Sequence, residues 1–436
     1  MNLPEKLHSD TLRIFETRLY ADPARVVLRP FHLGWQAKNA PGGRALHLVH
    51  DVEALSEERA ALEYDRVLRD FKERHWQTER IFADRFEEVA ENLSLDREKF
   101  SPTKQRLIGS YFCHEYTFAA AALMNPSIVP HPDQSGMQNG AMRFVMSLRA
   151  VGEGHISSIA FREGICEADG SFELWPQASF ATSVELDDEG LACADCPVTV
   201  HRHPDSSLSN TVIFPITEQQ RGGLEDLRLV RFDHGGGDYE WIGTYTAYSG
   251  SSIRSELLRT RDFRSFGLEP ILGKAGRNKG MALFPEKIDG KFAMVGRQDG
   301  KNLFLLKSDS LDQWDDEGVL LMEPAYPWEF IQIGNCGSPI LIDEGWLLLT
   351  HGVGAMRKYA LGAALLDRDD PSKVIARSPE PVLTAENADR SGYVPNVVYT
   401  CGALKVGEQL FIPYGISDST VGFATCSVRE MLGLLA

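Results

Sequence analysis

The sequence predicts an all-β five-bladed β-propeller over residues 121–436, preceded by an α-helical extension over residues 1–120. Three observations predict it. First, the texture changes after residue 125, from helix-like stretches to short apolar or alternating runs broken by Gly, Asp and Asn. Second, five of these runs look alike: residues 143–149, 241–248, 292–297, 346–352 and 410–415. Four follow a tight-turn signal, namely His234-Gly-Gly-Gly-Asp238, Asp289-Gly290, Asp343-Glu-Gly345 and Gly407-Glu408. Third, the runs recur every roughly 50–65 residues, with one gap of about 100, a period of strands and turns that suits propeller blades. A two-sheet sandwich is the alternative fold.

The first third reads as helix. Ser56 followed by Glu57 and Glu58 is an N-cap with acidic residues in the first turn. No Gly or Pro interrupts residues 56–94, and Phe82, Phe86, Val89 and Leu93 fall on one helical face. A second helix is expected over Lys104–Met124, ended by Asn125-Pro126.

Composition narrows the function classes. The 436-residue chain is 43% hydrophobic and 25% charged, ordinary for a globular protein that buries a core without staples. Its formal net charge of −17 argues against nucleic acid and anionic membrane surfaces as partners. The start, Met1 to Asp10, has no apolar stretch, so no signal peptide is expected. The apolar run Phe118–Met124 falls far short of the ~20 residues a spanning helix needs. Seven scattered cysteines (113, 166, 193, 196, 336, 401, 426) fit free thiols in a reducing cytoplasm. A soluble, cytoplasmic protein is expected; homo-oligomerisation is left open.

In a propeller the inner strands end around a central funnel, which makes Arg149, Tyr245, Tyr248, Arg297, His351 and Tyr414 candidates to line it. Other signals are weak. Cys193-Ala-Asp-Cys196 is a lone C-x-x-C, and His201 and His203 read as a solvated loop, so no metal site is expected. His234-Gly-Gly-Gly-Asp238 opens no helix and reads as a hairpin turn. The strongest local cluster is Gly222-Gly-Leu-Glu-Asp-Leu-Arg228, where adjacent Glu225 and Asp226 on a strand would point to opposite faces. Asn278-Lys-Gly-Met-Ala-Leu-Phe-Pro-Glu-Lys287 places Lys279 in a turn before a strand. Arg254 and Arg259-Thr-Arg-Asp262 supply a basic cluster inside an acidic protein.

Taken in order, Gly223-Leu-Glu-Asp-Leu-Arg228, Tyr245-Thr-Ala-Tyr248, Ala282-Leu-Phe-Pro-Glu-Lys287, Gly334-Asn-Cys-Gly-Ser-Pro339, Gly345-Trp346 with His351-Gly352, and Val394-Pro-Asn-Val-Val398 with Tyr414-Gly415 resemble glycoside hydrolase family 130, the β-mannoside phosphorylases and β-mannosidases. Asn125-Pro-Ser-Ile-Val129 and Leu366-Asp-Arg-Asp-Asp-Pro371 fit as well, so the resemblance covers residues from about 125 to about 430. It implies a five-bladed propeller, with the first ~115 residues similar to an extension found in a subset of the family.

The resemblance implies that Asp226 is the general acid, acting through the mannose 3-hydroxyl, with Leu227 standing where the family usually has Pro. Arg259 and Lys279 match positions whose cations hold the attacking phosphate, and Arg149, Arg297, His351 and Tyr248 match other funnel positions. Glu225, Arg228, Tyr245, Glu286, Asn396, Tyr414 and Asp418 are assigned to the sugar. A hydrolase needs a carboxylate to activate water, whereas phosphate needs only fixed positive charge, to which Arg and Lys are suited. Arg259 and Lys279 therefore favour inverting phosphorolysis of an oligosaccharide, giving α-mannose 1-phosphate, with inorganic phosphate as co-substrate and no metal or organic cofactor. An inverting β-mannosidase, with Glu225, Glu286, Glu329, Glu386 or Asp418 as base, is the alternative. A non-catalytic sugar-binding propeller is the third reading, with Tyr245, Tyr248, Trp328 and Tyr414 as stacking platforms.

Overall fold

Among the described residues of the first third there are four α-helices: Arg44–Glu53, Glu57–Phe71, Thr78–Leu93 and Pro102–Tyr111. The computed structural model describes residues 11–33, 43–138, 140–187, 196–386 and 389–436. Ser56 caps the second helix, its side chain accepting from the Arg59 amide. The expected 56–94 helix is two helices, interrupted where His75 and Gln77 are buried. In the third helix Phe82, Phe86 and Val89 are buried on one face, packed with Leu107, Ile108 and Phe112. Together with the strand pair Val26–Pro30 and Cys113–Thr117, these helices form one unit, residues 23–117 with 178–182.

The expected helix over Lys104–Met124 ends at Tyr111. Residues 118–124 lead instead into the strand Ala122–Pro130, since a short apolar run suits a buried strand as well as a helix. Asn125-Pro126 is therefore a bulge within that strand, with Asn125 at φ 50, a left-handed conformation that Asn tolerates better than most residues.

The second unit is sheet almost throughout. Its largest sheet joins two antiparallel meanders. One is Ala122–Pro130, Met142–Val151, Ser157–Cys166 and Phe172–Leu174; the other is Gly223–Gly235, Asp238–Tyr248, Ile253–Thr260 and Ser265–Pro270, with Val198–His201 beyond. The two meet through one parallel pairing, Gly223 with Ser157. Three further sheets follow, centred on Phe292–Gly296, Gly345–Val353 and Gln409–Ile416. Among the described residues five antiparallel meanders thus succeed one another. In the last, the early segments Arg13–Ile14 and Leu19–Tyr20 pair with the late strand Thr420–Ser427, so residues 11–22 lie with the sheets rather than with the helices. Apolar side chains fill the spaces between meanders, for example Trp346 and Phe284 at 5.2 Å between ring centroids.

Gly235, Gly236 and Gly237 take φ of 92°, 66° and 84°, making the turn of the hairpin that leads into Asp238–Tyr248. Cys113, Cys166, Cys336, Cys401 and Cys426 are free, but Cys196 is disulfide-bonded, which corrects the expectation of free thiols there; Cys193 lies outside the described residues. Among the described residues no helix is long and apolar enough to cross a membrane.

Candidate active site

The site is built on a break in the strand Gly223–Gly235. Its register with Asp238–Tyr248 shifts between Glu225 and Arg228, and Asp226 there takes φ 55. A regular strand would send Glu225 and Asp226 to opposite faces. The left-handed residue cancels that alternation, and both carboxylates meet one guanidinium. Arg149 Nη2 lies 2.6 Å from Glu225 Oε1, and Arg149 Nη1 lies 3.3 Å from Asp226 Oδ1. The expectation of opposite faces is corrected by this bulge.

Asp226 is held from several sides. Asn125, on its own bulge, donates from Nδ2 to Asp226 Oδ1 at 2.6 Å. Arg149 is steadied by Ser157, whose Oγ accepts from Nε at 2.9 Å. Arg228, only 2% exposed, donates from Nη1 to the Asp226 carbonyl at 2.9 Å, from Nε to the Cys336 carbonyl at 2.8 Å, and from Nη2 to the Tyr399 hydroxyl. One buried cation thereby fixes the strained turn to two later meanders. Asp226 Oδ1 takes both side-chain bonds, and the side chain keeps 20% of its surface open.

Asp418 completes the carboxylate group, following Ser417 in consecutive left-handed conformations of φ 49 and 47. Burial pushes its pKa up to about 6, the charge of Asp226 adds to the rise, and Arg149 and Arg357 oppose it. Burial also raises Glu225, against Arg149 and with Asp226. At Asp226 burial acts upward too, yet Arg149, Arg228, the Asn125 hydrogen bond and Lys279 outweigh it and hold the carboxyl below its usual range.

A further cation lies near the two carboxylates. Lys279 is exposed, and its charge bears on both Glu225 and Asp226. Arg297 packs against the adjoining Gly280, where an added Cβ would lie 3.2 Å from Nη2; against Gly334 a Cβ would lie 2.9 Å from Arg297 Cδ. These two glycines let the backbone approach the guanidinium closely. Neither Lys279 nor Arg297 forms an ion pair with a carboxylate among the described residues, and Arg297 Nε is buried without a hydrogen-bond partner. His351, 1% exposed, stacks on Tyr359 and meets Tyr399 edge-on. Burial, then Arg297 and Arg228, drive its pKa far down, so it is neutral at pH 7.

Other residues singled out from sequence lie elsewhere. Arg259 pairs with Ile242, toward the opposite end of the Asp238–Tyr248 strand from Tyr248. Glu240 binds its Nε and Nη2 at 2.8 and 2.9 Å, and Glu269 lies at 3.5 Å, so its charge is already matched. It lines a separate surface cavity of about 300 Å³ with Thr260, Arg261 and Asp262. Tyr245 is buried, donating to Glu256 Oε2 at 2.5 Å and accepting from Gln220. Tyr414 is buried in the last meander, where burial pushes its hydroxyl up to about 12. Tyr248 covers Gly222 and donates to the Gly250 carbonyl. Glu286 sits exposed in a turn, Trp328 packs on Gly352 and Gly362, and Asn396 Oδ1 accepts from Arg390 Nε at 2.7 Å. Arg259, Tyr245, Tyr414 and Glu286 thus lie apart from the Asp226–Arg149 cluster, unlike the placement expected for them, because cross-strand pairing and turn position decide where each side chain points.

Sequence reading passed over Asn125, Ser157, Tyr399 and Arg357 as site residues. Asn125 carried a signal, an Asn before Pro inside an apolar run; the others carried none.

A pH-dependent effect follows from Asp418. Its folded-state pKa is raised, so the folded chain holds this proton more tightly and loses stability as pH rises from about 4 to about 6. Asp418→Asn removes that loss and stabilises the fold by about 1–3 kcal/mol at pH 7.5, with little gain near pH 4. Denaturant midpoints at the two pH values measure this; an equal gain at both would refute it.

Comparison with known proteins bears on this arrangement. The family model of glycoside hydrolase family 130, described as β-1,4-mannooligosaccharide phosphorylase, matches residues 203–436. A 1,2-β-oligomannan phosphorylase from Thermoanaerobacter sp. (strain X514) is 34% identical over 231 residues, 51% of this chain and 75% of the relative. A β-1,2-mannobiose phosphorylase from the same organism is 36% identical over 218 residues, 49% of this chain and 70% of the relative. In fold, the chain is similar to a GH130 structure reported with glycoside hydrolases that target β-1,2 mannosidic linkages in Candida mannan. That likeness has TM-score 0.53 and 20% identity, over 72% of this chain and 87% of the other. A glycosyl hydrolase from Bacteroides ovatus gives 0.52 and 20%, over 72% and 86%. The bulged Glu-Asp-Leu-Arg strand, the Asn-Cys-Gly carbonyl it binds and Tyr399 all fall within the matched stretch, and the chain belongs to glycoside hydrolase family 130.

Proposed function

We propose that this protein cleaves β-mannosides by inverting phosphorolysis, giving α-mannose 1-phosphate and a shortened sugar. The carrying observation is a pair of cations without carboxylate partners among the described residues: Lys279, whose charge bears on Asp226 and Glu225, and Arg297, packed against the adjoining Gly280, whereas Arg259 is neutralised. Unmatched positive charge next to a carboxylate suits a phosphate dianion, which needs no base. Neutral His351 adds a polar group without more charge. The five meanders serve as the blades of a propeller, with residues 121–436 as the catalytic part and residues 23–117 as the helical extension.

Asp226 is the acid in this reading. Its surrounding cations favour the carboxylate, the wrong form for a proton donor. Phosphate supplies negative charge that offsets Lys279 and Arg297, so co-substrate binding raises the pKa of Asp226 and favours the protonated form. The proton then passes through a sugar hydroxyl to the leaving oxygen as phosphate bonds to the anomeric carbon from the opposite face. Asn125 and Arg149 orient the carboxyl, and Glu225 and Asp418 are placed to accept from sugar hydroxyls.

The competing reading is hydrolysis with Asp418 or Glu225 as base, favoured by their position beside Asp226. Incubation with β-1,2- and β-1,4-mannobiose, with and without phosphate, decides between them. Phosphate-dependent α-mannose 1-phosphate, followed by ³¹P NMR, is expected; equal release of free mannose in both conditions would establish a hydrolase. Lys279→Glu should raise the KM for phosphate by at least about tenfold, the scale of a lost charge-assisted contact. An unchanged KM would remove Lys279 from the phosphate site.

A further inference from the structure

Among the described residues of the sheet unit, eight other than glycine hold positive φ in or around the site or its neighbouring loops: Asn125, His155, Asp226, Met356, Arg357, Asn396, Ser417 and Asp418. Such strain persists where surrounding contacts enforce it, and it collects at ligand sites. The chemistry above uses Asp226, Asn125 and Asp418. His155 and the loop before Asn396 are unused, and one aromatic side chain joins them.

Tyr393 is 49% exposed, yet it is fastened at both ends. Its amide donates to Ser419 Oγ at 2.6 Å, and Ser419 is the residue after Asp418. Its hydroxyl lies 3.1 Å from His155 Nδ1, a hydrogen bond, with the two rings 5.9 Å apart and tilted by 38°. His155, at φ 60, precedes Ser157 by one intervening residue, and Ser157 holds Arg149 against Asp226. Tyr393 therefore bridges the two loops whose neighbours bear Arg149 and Asp418. An exposed aromatic ring that bonds pin at both ends is not blade packing, because it covers no core. A pre-ordered ring beside a sugar site has the shape and polarity to stack on a pyranose.

We infer that Tyr393, steadied by His155, is the platform for the leaving sugar, the acceptor in the reverse reaction, and so a specificity-determining residue for that partner. The inference rests on the proposed phosphorolysis. The sugar that forms the mannosyl phosphate contacts Asp226, Arg149 and Asp418, whereas the sugar beyond the scissile bond extends across the Tyr393 ring.

Initial rates in the synthetic direction test it, with α-mannose 1-phosphate as donor and mannose or mannobiose as acceptor. Tyr393→Ala should raise the acceptor KM about tenfold while the donor KM changes less than about twofold. Tyr393→Phe, which keeps the ring and loses only the His155 bond, should restore most of the acceptor affinity. An unchanged acceptor KM in Tyr393→Ala, or equal rises in both KM values, would overturn the platform. If Tyr393→Ala does not fold, Tyr393→Leu takes its place with the same expected split. If the unaltered enzyme shows no phosphorolysis, the functional reading fails separately. The platform is then judged by NMR titration with mannobiose and mannose, where loss of the preference for mannobiose in the variant supports it and a preserved preference refutes it.

Discussion

Asp226→Asn is expected to lower phosphate-dependent turnover of β-mannobiose by at least about 10³-fold, a loss of roughly 4 kcal/mol of transition-state stabilisation. Asparagine keeps an Oδ1 that can accept from Asn125 and Arg149, so the geometry of the bulge survives. It has no proton to deliver to a leaving oxygen. The fold should persist in thermal melts, which separates lost chemistry from lost structure. The acid side of the stability profile should also flatten. Asp226 has a depressed folded-state pKa, so its ionised form stabilises the protein above the ordinary carboxylate range, and that contribution is lost as pH falls. The variant lacks this component. Turnover retained above about a tenth of the original rate would exclude Asp226 as the acid, since general acids contribute about 10²–10⁴-fold.

Arg228→Leu is expected to destabilise the fold by about 3–5 kcal/mol, the range found when one member of a buried charged network is removed. Its guanidinium joins the Asp226 carbonyl, the Cys336 carbonyl and the Tyr399 hydroxyl, and its charge also helps to hold Asp226 ionised. Leucine leaves these groups buried and unsatisfied and releases the strained turn at Asp226. Arg228→Lys keeps the charge but cannot reach three partners from a planar fork, so an intermediate loss follows. Urea denaturation measures both variants. A loss below about 1 kcal/mol for Arg228→Leu would show that the network does not hold the turn.

Some of this was legible in the chain. Ser56 caps a helix, Phe82, Phe86 and Val89 bury one face, and the recurring runs mark the strands of successive meanders. These signals are local, set by periodicities of 3.6 and 2 and by turn chemistry, and local signals survive without tertiary context. Residues 118–124 read equally as helix or strand, because a short apolar run has no period of its own. Sequence alone sends Glu225 and Asp226 to opposite faces, because strand alternation holds only in the absence of a bulge.

Arg259 and Lys279 looked equivalent as cations near strands. The difference between them is a partner: Glu240 takes Arg259, and among the described residues no carboxylate forms an ion pair with Lys279. That distinction depends on which residues are brought opposite one another across strands, which no local pattern encodes. The acidic total of −17 is likewise an average, and the fold sets positive charge near Asp226 through Lys279, with Arg297 packed against the adjoining Gly280.

By itself the sequence determined the strand-rich repeat, the helices near its start and the identity of the Glu-Asp-Leu-Arg motif, because each is written in neighbouring residues. Only the tertiary structure decided that Asp226 turns back toward Arg149, that Asn125 and Tyr399 belong to its surroundings, and that Tyr393 spans two loops. Those outcomes depend on contacts between residues far apart in the chain, whose combined bonds hold the backbone in conformations that the local sequence would not choose.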